Sequence, residues 1–174
     1  MTLYTSIESP LGTLLLTSRD EKLTGLYFAD QRHARISPGW IERDNEDIFI
    51  QTAQQIEEYA AGERTAFDLP LSLAGTPLQT AVWRAIAVIP FGQTITYGEL
   101  AQRAGSPRAV RAVGTATGAN PISWIVPCHR VVGKSGALTG YAGGLPRKRA
   151  LLEFEAAKSS GHDVQLAFGV KELA

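Results

Sequence analysis

The sequence predicts an α+β fold in two parts. A small N-terminal α/β domain with a short antiparallel sheet covers 1–74, a helical domain with a winged helix-turn-helix covers 75–158, and a tail covers 159–174. Three observations carry this. Apolar residues alternate at period two through much of the first third, and Thr-led capping boxes open helices after residue 75. Between the two patterns, Ala74-Gly75 interrupts both and marks the boundary.

Leu3, Thr5 and Ile7 alternate as a first strand. Ser9-Pro10-Leu11-Gly12 turns the chain, residues 12–17 return, and a third strand spans 23–28 after the polar turn 18–22. The polar stretch 29–47 reads as a loop. Ile50, Ala53, Ile56, Tyr59 and Ala60 recur at helical spacing, with Gly62 as the stop. Phe67, Leu69, Leu71 and Leu73 then alternate as a strand.

In the second half, Thr76-Pro77-Leu78-Gln79 is a capping box with proline at the first helical position. Leu78, Val82, Ala85, Ile86 and Ile89 form the buried stripe of its helix, which Pro90-Phe91-Gly92 ends. Thr96-Tyr97-Gly98-Glu99 is a second box and opens a short helix to Ala104. Gly105 breaks that helix, and Ser106-Pro107 starts another that runs to Thr117. There Val110, Val113 and Ala116 face one way, and Arg108, Arg111 and Thr115 the other. Two short helices across a tight turn, the second with arginines on its free face, make a helix-turn-helix pattern. A solvated amphipathic helix gives the same pattern.

Asn120-Pro121 ends that helix, and Ile122 to Val126 reads as a buried strand leading to Pro127-Cys128-His129-Arg130. After Gly133-Lys134-Ser135-Gly136, residues 138–144 read as a hairpin and loop, so that a strand pair beyond the helices makes a wing. Pro146 begins a last helix anchored by Leu151, Leu152 and Phe154. Its first turn carries Arg147, Lys148 and Arg149, where cations oppose the helix dipole, so an external anion or another partner is expected against them. From Lys158 a weakly structured tail follows, with Leu166, Phe168 and Val170 as its packing residues.

No apolar run approaches the ~18 residues of a membrane helix, and Met1–Thr5 lacks the basic and apolar regions of an export signal. With one free thiol, the chain reads as cytoplasmic, or nuclear in a eukaryote. The net charge of zero hides an asymmetry. Residues 1–79 hold 6 Lys+Arg against 12 Asp+Glu, whereas residues 80–150 hold 9 Lys+Arg against Glu99 alone. The basic segment is the footprint of a nucleic-acid contact surface. A basic face that merely pairs with the acidic half is the other reading of it.

The single cysteine excludes an internal disulfide and cannot by itself make a thiolate zinc site. A buried inert thiol or a nucleophile remains, and His129 and Arg130 beside it favour a thiolate with a lowered pKa. A nucleophile next to an arginine-faced helix fits an electrophile carried on DNA.

Residues 106–114 through Asn120-Pro121, then 125–132 around Pro127-Cys128-His129-Arg130, closely resemble the O6-alkylguanine-DNA alkyltransferases (methylated-DNA–protein-cysteine methyltransferases). The resemblance runs from Thr76 to Glu155, with Tyr97, Tyr141-Ala142-Gly143-Gly144 and Leu151–Glu155 in register. The N-terminal half is compatible in size and strand content.

The resemblance implies DNA repair by direct, irreversible, stoichiometric transfer of the alkyl group from O6-alkylguanine in double-stranded DNA to Cys128. O4-alkylthymine is a lesser candidate substrate. The protein would act as a monomer, with no cofactor and no metal. His129 would act as base through a water, and Glu155 would orient it. Tyr97 would hydrogen-bond the departing guanine. Arg111 would fill the gap left by the flipped base, a step needed because the O6 substituent is out of the thiol's reach inside a stacked duplex. Arg108, Thr115, Asn120 and Arg130 would be DNA-binding residues, with Asn120 tying the recognition helix to the cysteine segment. Main-chain groups of Cys128, Val131 and Ala142 would read the guanine edge, with Tyr141 lining the pocket and Lys148 nearby. Some relatives carry a structural zinc. His33 and His162 stand far apart here and no second cysteine exists, so no ligand set for it is read.

Three other readings stay open at this level. One is a damage-binding module that does no chemistry, although relatives of that kind replace the cysteine. The second is a winged-helix regulator with an incidental thiol. The third is a Cys-His acyl-transfer enzyme, for which no oxyanion-hole or acyl-pocket residues are seen.

Overall fold

A computed structural model describes residues 1–32 and 34–168. His33 and Val170, each part of an expectation above, lie outside that set. Three strands open the chain, β1 (Leu3–Ile7), β2 (Leu14–Arg19) and β3 (Lys22–Phe28), joined as antiparallel neighbours. The β2–β3 link is two residues long. Asp20 and Glu21 both take positive φ, 51° and 61°, the turn whose twist matches a hairpin. A fourth strand, β4 (Ile41–Glu42), pairs in parallel with β1, giving the order β3-β2-β1-β4. The expected loop 29–47 therefore contains a strand. Its two residues are too few for any alternation to register.

Helix α1 (Asp47–Ala60) buries Ile48, Phe49, Thr52, Gln55, Ile56, Tyr59 and Ala60. The expected stripe was out of phase at its start, since Ile50 is 52% exposed and Phe49 takes the inward position. Gly62 follows at φ 80°, as a helix stop requires. Residues 67–73 do not form a strand. They run along the start of β3, with Leu23 N–H donating to Pro70 O and Ser72 N–H to Leu23 O.

Helix α2 (Pro77–Ala87) has both halves of the Thr76–Gln79 capping box, and α3 (Tyr97–Arg103) both halves of the Thr96–Glu99 box. Trp83, outside the expected stripe, is buried and donates from Nε1 to Ala116 O at 2.8 Å, clamping α2 onto α4 (Val110–Gly118). Helix α4 starts later than Pro107. Ala109 N–H closes a turn on Ser106 O, so Arg108 lies on the turn and not on the helix face, and Val110 is 40% exposed. The helix-turn-helix pair α3–α4 stands with that adjustment.

The wing does not form as a hairpin. β6 (Val131–Val132) turns back to pair in parallel with β5 (Ile95–Thr96), ahead of the helix pair, and leaves 133–144 as a loop. Helix α5 (Leu145–Ser159) closes the domain. Leu166 is buried and its N–H donates to Ala60 O, so part of the tail is fastened to α1. Among the described residues no helix is long and apolar enough to cross a membrane.

One core runs through both halves, from Leu14, Leu16 and Leu26 of the sheet to Val113, Val126 and Leu151. Two contacts carry it past the boundary. Leu26 N–H donates to Pro121 O and Ser123 N–H to Leu26 O, so the chain before the cysteine is stitched to β3. Trp124, fully buried at φ 73°, stacks on Phe28 with ring centroids 6.3 Å apart.

Candidate active site

Residues 122–127 are a series of tight turns, not the expected strand. Ile125 N–H donates to Ser123 O and Cys128 N–H to Val126 O, two residues back in each case. Hydrogen bonds that short bend the chain sharply, and Cys128 opens a single 3-10 turn over Cys128–Arg130. Asn120 holds the bend from inside. Its Nδ2 donates to Val126 O at 2.8 Å and its Oδ1 accepts from Ile122 N–H at 3.0 Å. Asn120, expected among the DNA-binding residues, is buried here with both ends of its amide bonded to the cysteine segment.

Cys128 faces a cavity of about 280 Å³ lined also by Tyr97, Gly114, Thr117, Gly118, Tyr141 and Ala142. Arg32, from the loop after β3, stands at the same cavity and was not foreseen, because nothing local in its polar stretch singles it out. The loop 133–144 is pinned at Thr139, whose carbonyl accepts from Tyr97 Oη at 3.3 Å and from Lys148 Nζ at 2.9 Å. Lys148 also donates to Val131 O and Gly140 O. It is fully buried and serves as the strut behind the pocket. Gly143 makes the loop's closest approach. A Cβ there would stand 2.5 Å from the Phe28 ring.

Behind the thiol lies a buried polar cluster. His129 Nε2 and Glu155 Oε1 are 2.9 Å apart, and His129 Nδ1 has no protein partner. Glu155 also accepts from Tyr59 Oη, from Arg130 Nε and Nη2, and from the Gly92 N–H. Gly92 reaches it at φ 79°, a conformation that favours glycine. Burial would raise the Glu155 pKa, but His129 and Arg130 outweigh it and hold the carboxyl below the usual carboxylate range. Burial lowers His129, opposed by Glu155, so the imidazole is held neutral. With Nε2–H donated to Glu155, Nδ1 is left as a lone-pair acceptor.

Burial pushes the Cys128 thiol up. The Asn120 amide, the Lys148 charge, its own backbone bond and Ser123 only partly offset this. The expected lowered pKa is therefore corrected. His129 and Arg130 are both spent on Glu155, so neither stands beside the sulfur as a free cation. Arg130 was expected on the DNA surface. It is buried, ion-paired with Glu155 at 2.7 Å and bonded to Ile89 O at 2.6 Å.

The cations opening α5 find their partners inside the protein. Arg147 pairs with Asp30 at 2.7 Å and donates to Leu11 O, and Lys148 has its three carbonyls. The external anion expected there is not needed. Arg84, Arg103, Arg108, Arg111, Lys134 and Arg149 remain exposed. Thr115 is exposed beside Arg111, and its hydroxyl donates to the Arg111 carbonyl.

Residues 77–157 match the family of 6-O-methylguanine DNA methyltransferase DNA-binding domains, and residues 2–73 match the ribonuclease-like domain of the same enzymes. The chain belongs to the methylated-DNA–protein-cysteine methyltransferase family. Among relatives of that name, the Mycolicibacterium paratuberculosis protein is 49% identical over 87% of this chain and 91% of its own. The Methanosarcina acetivorans protein is 46% identical over 87% and 97%. A crystal structure of Mycobacterium tuberculosis OGT in complex with DNA superposes with a TM-score of 0.83, at 47% identity over 90% of this chain and 94% of that one. A methyltransferase from Pyrococcus kodakaraensis, 24% identical with a TM-score of 0.57, shares the fold. In this methyltransferase family member the N-terminal half is part of the site, supplying Tyr59 to the carboxylate and Arg32 to the cavity.

Proposed function

We propose that this protein repairs double-stranded DNA by moving the alkyl group of O6-alkylguanine onto Cys128, once per molecule. What supports this is the only thiol, set in a cavity beside the helix-turn-helix, followed in the chain by a buried histidine whose Nε2 meets Glu155 and whose Nδ1 has no protein partner. The damaged guanine, turned out of the stack, enters the cavity between Tyr97 and Tyr141. The thiol proton passes through a water to His129 Nδ1. Sγ attacks the alkyl carbon, the bond from that carbon to O6 breaks, and its electron pair stays with the guanine. Tyr97 turns its hydroxyl from the Thr139 carbonyl to the departing base, and Glu155 stabilises the imidazolium until its proton passes through water to the guanine anion. The products are a thioether and an unmodified guanine. Nothing in the cluster is a nucleophile able to take the alkyl group back from carbon, so the reaction ends there.

Arg111 on α4 fills the gap in the stack, and Arg108 and Thr115 contact phosphates. Backbone groups of Cys128 and Ala142 read the guanine edge. The Val131 carbonyl, already accepting from Lys148, has one lone pair left for it. The protein works as a monomer in the cytoplasm, without cofactor or metal, and O4-alkylthymine is a secondary substrate.

Incubation with duplex containing O6-methylguanine, followed by intact-protein and peptide mass analysis, tests the reading. One CH₂ added per molecule, on the peptide holding Cys128, is expected. Repeated turnover, or an adduct elsewhere, overturns it. Cys128→Ala removes transfer and keeps DNA binding, so loss of both in a folded variant assigns the cysteine a structural role.

A further inference from the structure

We propose that Tyr59, from helix α1 of the N-terminal domain, is a positioning residue for alkyl transfer: its hydroxyl holds Glu155 in the orientation that fixes His129. The inference rests on His129 acting as the base.

Tyr59 Oη donates to Glu155 Oε1 at 2.7 Å, on the same oxygen that faces His129 Nε2 at 2.9 Å and takes Arg130 Nη2 at 2.7 Å. Three residues converging on one carboxylate oxygen, with Arg130 reaching it through both Nε and Nη2, fix its orientation. The ring that delivers the hydroxyl is itself fixed. It stacks on Phe67 with centroids 5.5 Å apart and meets Phe91, Trp124 and Phe154 at 5.7, 5.7 and 5.4 Å. A phenylalanine would fill that aromatic cage as well. The hydroxyl is the part of the residue that packing does not require. Tyr59 and Glu155 are 96 positions apart, so the contact joins the N-terminal domain to the catalytic helix.

The effect is on how the Glu155 charge is shared. Burial lowers the His129 pKa, Glu155 raises it, and Arg130 and Lys148 add smaller lowering effects. Tyr59, Arg130 and the Gly92 N–H share the carboxylate's negative charge with His129, and Cys128 and Tyr141 are the further titratable groups within reach of Lys148 and Glu155. Without the Tyr59 donor, more of that charge acts on His129 and the imidazole holds its proton more tightly. The Tyr59 hydroxyl does not itself titrate near neutrality, since burial, with Glu155 adding to it, raises its pKa well above the usual value.

The experiment is the pH profile of single-turnover transfer from O6-methylguanine duplex for the full-length protein, Tyr59→Phe and Phe67→Leu. Wild type must first transfer, with a rate that falls on the acid side and loses that limb in His129→Ala. Failure there removes the base role and with it this proposal. Tyr59→Phe is expected to move the acid limb upward, to be ~3–10-fold slower on that limb, the size of the typical net worth of one hydrogen bond, and to approach wild type on the alkaline plateau. Phe67→Leu is the packing control, expected to lower the melting temperature without moving the limb. An unmoved limb in Tyr59→Phe, or an equal displacement in Phe67→Leu, overturns the proposal while leaving alkyl transfer to Cys128 intact.

Discussion

Lys148 meets the carbonyl of Thr139 at 2.9 Å from a fully buried position on α5. The cation thereby holds from behind the loop whose front, at Gly140, Tyr141 and Ala142, lines the thiol's cavity. Substituting Lys148→Met keeps the apolar stem and removes the donor, leaving the Val131, Thr139 and Gly140 carbonyls without it. Loss of hydrogen bonds from a charged group costs about 1.5–3 kcal/mol each, only part of which is additive. The variant is expected to lose about 2–4 kcal/mol of stability, to exchange amide hydrogens faster over 137–144, and to transfer more slowly because the pocket wall is loose. Denaturant unfolding with hydrogen exchange checks this, and unchanged exchange over the loop removes the strut role.

His129→Ala is expected to slow transfer by about 10²-fold or more, the size of a lost acid–base contribution. Because the resting thiol is pushed up and not down, little thiolate forms without the base. Alkylation of free wild-type protein by iodoacetamide near pH 7 should accordingly be slow compared with an exposed, unperturbed cysteine. A fast reaction there would contradict the buried neutral thiol.

Stability should fall on both sides of neutrality. His129 and Glu155 bind protons less readily folded than unfolded. The unfolded chain therefore gains protons first, and stability drops as pH falls below about 6.5 for the histidine and again below about 4.3 for the carboxylate. Cys128, raised in the fold, releases its proton more readily when unfolded, so stability also declines as pH rises past about 8.5. Melting temperature against pH in wild type and Cys128→Ala checks the onset of the alkaline decline, which the variant should move up toward the range where Tyr59 and Tyr141, also raised by burial, titrate when unfolded.

What could be read from the chain, and what could not, divides by range. Thr76, Thr96 and Gly62 act on neighbours within a turn, so capping and stopping were legible from local sequence. Cys128, His129 and Glu155 were legible through the spacing that the resemblance supplied. The fate of the cations was not, since Arg130, Arg147 and Lys148 look alike in sequence to Arg108 and Arg111. Only tertiary partners, Glu155, Asp30 and three carbonyls, turn the first group inward. The strand expected at 122–126 failed for a related reason. Its apolar residues are buried on all sides, and Asn120 with Trp124 at positive φ bends them into turns. Tyr59 looked like one more apolar position of α1, because a hydroxyl's partner 96 residues away leaves no local trace.

Arg111 is exposed on α4 and makes no ion pair among the described residues, so it is free to engage DNA. Arg111→Ala should slow repair in duplex more than reaction with the free base O6-methylguanine, since only the duplex needs a stack held open. Affinity for undamaged duplex should fall steeply with salt for the wild type, with a slope reduced by about one in the variant if Arg111 also neutralises a phosphate. Equal losses on duplex and free base would refute its role in the opened stack.

Alkylation should weaken the protein that has done its work. Cys128 is 95% buried and packed among Asn120, Ser123 and Val126, in a bend held by hydrogen bonds only two residues long. A thioether adds at least one carbon at that point and removes the polar thiol that Asn120 and Ser123 face. Overpacking by a methylene costs about 1–3 kcal/mol, a large share of the stability of a domain this size. The strain falls on the Asn120 bonds to Val126 and Ile122, which also set the end of α4. The alkylated protein is therefore expected to melt lower and to exchange amides faster over 107–128, with benzyl worse than methyl because it adds more volume at the buried sulfur. Thermal denaturation and hydrogen exchange before and after stoichiometric reaction measure both effects. A melting temperature that holds or rises would mean that the 280 Å³ cavity takes up the adduct without disturbing Asn120.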